Sequence, residues 1–226
     1  MPQKDLSKHL PEGVTWIKAA VSAIPMVGGP LGHLIFDKAD SIRLRNIETA
    51  LAALAEQIKS IEIEKLNRSW FESEEALAAF KTMAEEVSYE PDSQKVNDFG
   101  YIVAACGSNE HINDDKKLAV LEHLSRLSHT QIKILSVIAT LPRQEKTIST
   151  GGLEQQANAI WFNDIASALQ KGPSFWSGTL MLVEELELLE SYNTVRQVQL
   201  MGPSERAYEL TALGRRAASY LHTVKL

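Results

Sequence analysis

The side chains best equipped for chemistry in this sequence are few and scattered. "NEHINDD", residues 109–115, gathers His111 with Glu110, Asp114 and Asp115, a donor set that could in principle hold a divalent metal. The same residue types in a loop serve to solvate and cap it, and Asn113 or Asp114 stands where the next helix would take its N-cap, so no metal site is expected. His123 and His129 are six residues apart across a helix junction, which is not the i, i+4 spacing of a ligand pair. Cys106, the single cysteine, lies in the apolar run "YIVAACG". It reads as a small buried hydrophobe in a reducing compartment, because any chain with six histidines offers some distant Cys–His pairing. "VGGPLG", residues 27–32, lacks the Gly-Lys-Ser/Thr ending of a nucleotide-binding loop and the strand that should precede it. Trp161, Phe162, Phe175 and Trp176 stand near helix starts, where aromatic residues are mostly core. The expectation is a non-enzymatic protein with no cofactor.

Charge limits the partners. The chain has 226 residues, with 23 Lys plus Arg against 29 Asp plus Glu, and its net charge of -6 opposes general attraction to nucleic acid or an anionic membrane. Any such contact needs a local basic patch, and the candidates are Arg196, Arg206, Arg215 and Arg216. The N-terminal "MPQKDLSKHLPEG" has no apolar stretch directly after Lys4 and Lys8, so a secretory signal is not expected and a cytoplasmic location is. Val14 to Phe36 is the most membrane-like stretch, but Lys18, His33 and five Pro and Gly residues interrupt it too often for a spanning helix.

The elements that must position these residues read as follows. Val14–Ile24 is an amphipathic helix, ended by a corner at Ile24, Pro25, Gly28, Gly29 and Pro30. That segment is expected to be a tight turn between packed helices; it would reach a membrane only after a conformational change exposed its two apolar arms. A long helix follows, to about Asn67, with Ile47, Leu51, Leu54, Ile58 and Ile61 spaced alternately four and three residues apart. This stripe is a candidate oligomer face. "SEEALAAFKTMAEEV" opens with a serine cap and an acidic first turn, and Val96, Phe99, Val103 and Cys106 mark a fourth helix. In the second half, residues 113–127 and 128–141 form two helical segments, then a polar loop carries "STGG". "AIWFNDIASALQ" and "SFWSGTLMLVEELELLESY" read as helices, "TVRQVQL" and "RAYEL" as a two-stranded hairpin, and "LTALGRRAASYLHTV" as a closing helix.

From residue 128 on, "LVEELELLESY", the hairpin and "YELTALGRRAASYL" resemble the ending of MarR-like winged-helix domains, with Leu210, Thr211 and Gly214 as the distinctive residues. The Ile-Pro-x-x-Gly-Gly-Pro-Leu corner with "DKADSIRLRNIETALAALAEQI" and "LEHLSRLSHTQIKIL" resembles bacterial proteins of the abortive-infection alpha type, with Gly29, Pro30, Arg45 and Asn46 as its markers. The resemblance implies a role in phage defence without supplying a mechanism. The expected fold is mainly α: a helical bundle over residues 12–110 and a winged-helix-like domain with a two-stranded wing over 113–226.

Such a domain would bring its leucine-rich helix to DNA, and here that helix has the wrong charge. Gly172 to Ser191 contains Glu184, Glu185, Glu187 and Glu190 and no Lys or Arg, and residues 129–226 balance nine basic against nine acidic residues. A protein-interaction module, acting on a partner or on a second copy, is therefore the leading expectation. A DNA-binding regulator is the alternative, and a membrane-perturbing effector using residues 14–36 the third.

Overall fold

The computed structural model describes residues 36–61, 63–150, 153–170, 179–198, 200 and 206–222. The helix expected at Val14–Ile24 and the corner at Ile24, Pro25, Gly28, Gly29 and Pro30 lie outside these, as do Phe175 and Trp176. The described residues are mainly helical, with one small four-stranded antiparallel sheet among them. Among the described residues no helix is long and apolar enough to cross a membrane. The chain divides into two compact units between His129 and Thr130.

In the first unit α1 (Phe36–Ser60) leads through a 3-10 turn at Ile63–Lys65 to the short α2 (Arg68–Phe71), then to α3 (Glu74–Val87), α4 (Ser93–Cys106) and α5 (Lys117–Ser125). The main helix pair is α1 with α4. Small residues permit it: a Cβ added at Gly100 would fall 2.1 Å from the Ala50 carbonyl oxygen and 2.9 Å from the Ala53 Cβ, so the two backbones touch where Gly100 has no side chain. Leu54, Phe80, Met83, Phe99, Ile102 and Leu121 fill the surrounding core.

Caps are made by side chains. Ser73 accepts from the Ala76 amide at 3.2 Å, and Asp92 from the Gln94 amide at 2.9 Å. Asn46, buried on α1, donates its amide to the Val87 carbonyl (3.0 Å) and the Glu90 carbonyl (2.8 Å), binding α1 to the end of α3.

Three expectations change here. The stripe proposed as an oligomer face is an internal seam: Leu51, Leu54 and Ile58 are buried within the unit and Ile47 and Ile61 are half-buried, because α4 already covers that side of α1. The long helix stops at Ser60 rather than near Asn67. Leu66 bridges to Ser108, and the Asn67 amide donates to the Gly107 carbonyl at 2.9 Å, which turns the chain toward α4 before Asn67 caps α2. Finally, the boundary expected between residues 110 and 113 falls after His129, since α5 packs on α3 and α4 and buries Val120, Leu121 and Leu124.

The second unit comprises α6 (His129–Thr140), β1 (Gln144–Thr150), β2 (Leu153–Trp161), α7 (Phe162–Gln170), α8 (Thr179–Ser191), β3 (Val195–Gln197), β4 (Ala207–Leu210) and α9 (Ala212–His222). The sheet order is β1-β2-β4-β3. β1 and β2 form a hairpin in register from Gln144 opposite Ala159 to Thr150 opposite Leu153; the end of β2 pairs with β4, and β3 with β4.

Of the hairpin expected over residues 194–210, β3 and β4 pair as expected, but the first hairpin replaces an expected loop and the expected helical start at Ala159–Trp161. Ala157, Ala159 and Trp161 alternate inward with exposed Glu154, Gln156 and Asn158, a period of two. They pack with Ala207, Val198 and Leu200. The Trp161 indole donates to the Gln144 carbonyl at 3.1 Å, and the Lys146 ammonium lies 4.3 Å over its ring.

The Leu-Thr-x-x-Gly run has a local physical cause. Thr211 donates through its hydroxyl to the Asn193 carbonyl (2.5 Å) and accepts from the Gly214 amide (2.9 Å), capping α9 on the turn after α8. A Cβ at Gly214 would lie 1.9 Å from the Thr194 carbonyl oxygen. Asn193 itself takes the left-handed conformation at φ 55°.

Candidate functional site

The helix α8 has two distinct sides. Leu182, Leu186 and Leu189 are buried in the unit's core. On the outer side Met181 and Leu188, and Tyr192 in the turn just after the helix, are 49%, 44% and 38% exposed, beside the exposed Glu184 and Glu187. Three of the four carboxylates have local partners: Glu185 accepts from the Gln131 side chain at 2.9 Å, Glu190 from the Gln197 amide at 3.0 Å, and Glu187 lies 3.7 Å from Arg206. The resulting surface is apolar along its ridge and acidic on its flanks.

The arginines singled out as phosphate contacts are engaged within the protein. Arg196 pairs with Glu209, its directly opposed residue in the β3–β4 register, and Nε lies 2.9 Å from the carboxylate. Arg206 lies 3.7 Å from Glu187, and Arg215 donates to the Leu210 carbonyl at 2.7 Å. Arg216 is exposed on α9. The carboxylates beside Arg196 and Arg206 offset the charge that would attract phosphates, and α8 supplies none in return.

The first unit buries a few ionisable groups, Asp98, His111 and Lys117. Lys117 is 4% exposed, and its ammonium donates to the Asp114 carbonyl (2.9 Å) and lies 3.4 Å from the Glu75 carboxylate, which also accepts from the Trp70 indole at 2.6 Å. The 109–115 loop is thus folded over Lys117, and Asp114 further accepts from the Lys116 amide at 2.9 Å. Among the described residues no group of three or more His, Cys, Asp or Glu side chains is placed to hold a metal ion. Burial pushes the Cys106 thiol up to about 12, with the nearby Lys117 opposing the shift, so the thiol stays protonated and unreactive.

His123 lies on α5 and His129 begins α6, where its Nδ1 stands 2.5 Å from the buried Asp98 carboxylate. A carboxylate of this kind orients an imidazole and selects its tautomer. The same carboxylate acts on Tyr101, whose hydroxyl is raised first by burial and then by the charges of Glu56 and Asp98.

Asp98, Glu75 and Lys117 were not singled out by sequence reasoning. One signal was available for Asp98, a charged residue between the apolar positions Val96 and Phe99 of an amphipathic helix. Trp161 is core, as aromatic residues usually are, but as the last residue of a strand. No family model, curated protein or solved structure matches the chain.

Proposed function

We propose that the Thr130–His222 unit is a winged-helix-like protein-contact module in which α8, the helix that would otherwise read DNA, docks a partner segment of basic and apolar side chains. The observation that carries this reading is the exposed Met181–Leu188–Tyr192 ridge on a helix with four glutamates and no Lys or Arg. Exposed apolar ridges of this kind serve binding, and the flanking carboxylates complement a basic partner. The winged-helix part of the reading is supported by the order helix, strand, helix, helix, hairpin, helix from α6 to α9, with β2 pairing beside β4. β1, which pairs with β2 on its other edge, is an addition to that plan. A defence setting rests on the resemblance of the first half to abortive-infection proteins, and phage challenge of cells with and without the gene tests it.

The binding test uses the purified chain and two helical peptides of equal length, one built of leucine and lysine and the other of leucine and glutamate. The lysine peptide is expected to bind saturably and to weaken with salt, the glutamate peptide not to bind, and Leu188→Asp to abolish the interaction. Binding that ignores Leu188→Asp would refute the docking face. Titration into labelled random-sequence duplex DNA supplies the opposing arm: tight binding with a steep salt slope, lost on charge reversal of Arg196, Arg206, Arg215 and Arg216, would establish the DNA-binding alternative.

A further inference from the structure

A cleft of about 290 Å³ opens in the second unit, walled by the end of α6, β2, the end of β4 and one side of α9. None of its lining residues belongs to α8. Its floor is aliphatic: Ile138 and Ile160 are buried there, and Leu210 is half-buried. Arg143 and Arg215 both line it, and no carboxylate does, although the whole chain carries a net charge of -6. Arg215 uses one nitrogen on the Leu210 carbonyl and keeps the other donors of its fork. Arg143, exposed before β1, has no side-chain partner among the described residues.

We infer that this cleft binds a small aliphatic carboxylate, its oxygens held by Arg143 and Arg215 and its chain laid on Ile138, Ile160 and Leu210. The guanidinium fork matches a carboxylate in geometry as well as charge. An aliphatic floor without an aromatic ring favours a hydrocarbon chain, since it offers no stacking partner. The volume lies at the lower end for small-molecule sites and, at about 30 Å³ per water-sized group, holds on the order of ten non-hydrogen atoms. Octanoate has that size.

The experiment is calorimetric titration of the full chain with octanoate near neutral pH, alongside octan-1-ol, which keeps the chain, and acetate and inorganic phosphate, which keep only charge. Octanoate is expected to saturate a single site, with each control at least roughly tenfold weaker. Arg143→Gln, at an exposed position, should weaken octanoate by roughly tenfold with an unchanged circular-dichroism spectrum. Arg215→Lys, which keeps the charge but loses the fork, should weaken it severalfold. No saturable octanoate binding, equal binding of octan-1-ol, or full affinity in Arg143→Gln would each overturn the assignment.

Discussion

The helices α1 and α8 both carry large aliphatic residues at three- and four-residue spacing, yet only one has all of its central stripe covered. On α1 the stripe residues Leu51, Leu54 and Ile58 disappear against α4, because Gly100 and the alanines facing it let two backbones come into contact. On α8 the leucines at 182, 186 and 189 are covered, while Met181, Leu188 and Tyr192 stand out in solvent between glutamates. Spacing places residues on a common face. Coverage depends on another element with small residues at the matching height, which no pattern within the helix itself reveals.

The largest expected contrast is chemical. A cysteine placed on the open side by Leu188→Cys in a Cys106→Ala background should alkylate readily at mildly basic pH. Cys106 in the unmodified chain, with its thiol raised from 9.0 to about 12, should react about a thousandfold more slowly until the protein unfolds. Equal rates, followed by mass spectrometry, would show that the first unit opens as freely as the α8 surface.

Stability gives the next contrast. Leu54→Ala, at a fully buried position, should cost about 3 kcal/mol, whereas Leu188→Ala should stay within about 0.5 kcal/mol, both read from urea unfolding. A large loss at Leu188 would mean that α8's outer side is already covered. Gly100→Ala tests the cause of the seam: the added methyl meets backbone on α1, so a loss of about 2 kcal/mol is expected, with hydrogen exchange accelerated in α1 and α4.

The smallest effect concerns pH. Burial, and secondarily the charge of Arg126, lowers the His123 pKa below its ordinary 6.5. The unfolded chain therefore binds the proton more readily than the folded one. His123 contributes full stability above about 6.5, and that contribution is lost as pH falls through 6.5 toward the lowered folded value. His123→Gln should flatten the fall of the urea midpoint in that window, and an unchanged slope would place the imidazole in water.

Much of the helical architecture is legible in the chain. The Ser73 cap, the break after Val87 and the late hairpin follow from local rules that need no distant partner. The first hairpin is not legible in the same way. Its inward residues include Ala157 and Ala159, too small and too weakly apolar to stand out as an alternating face, while β1 is almost wholly polar. The paired groups are no easier to read: Asp98 and His129 are 31 residues apart, and Lys117 and Glu75 are 42 apart.

By itself, then, the sequence determined most of the described helices, where several begin, and that the helix before the late hairpin is acidic, since propensity, capping and charge act within a few residues. Only the tertiary structure decided that the α1 stripe is an internal seam, that a second hairpin extends the sheet, and that Arg143 and Arg215 share one cleft. Those outcomes depend on which distant surfaces meet, and that is settled by the packing of the whole unit rather than by any one segment.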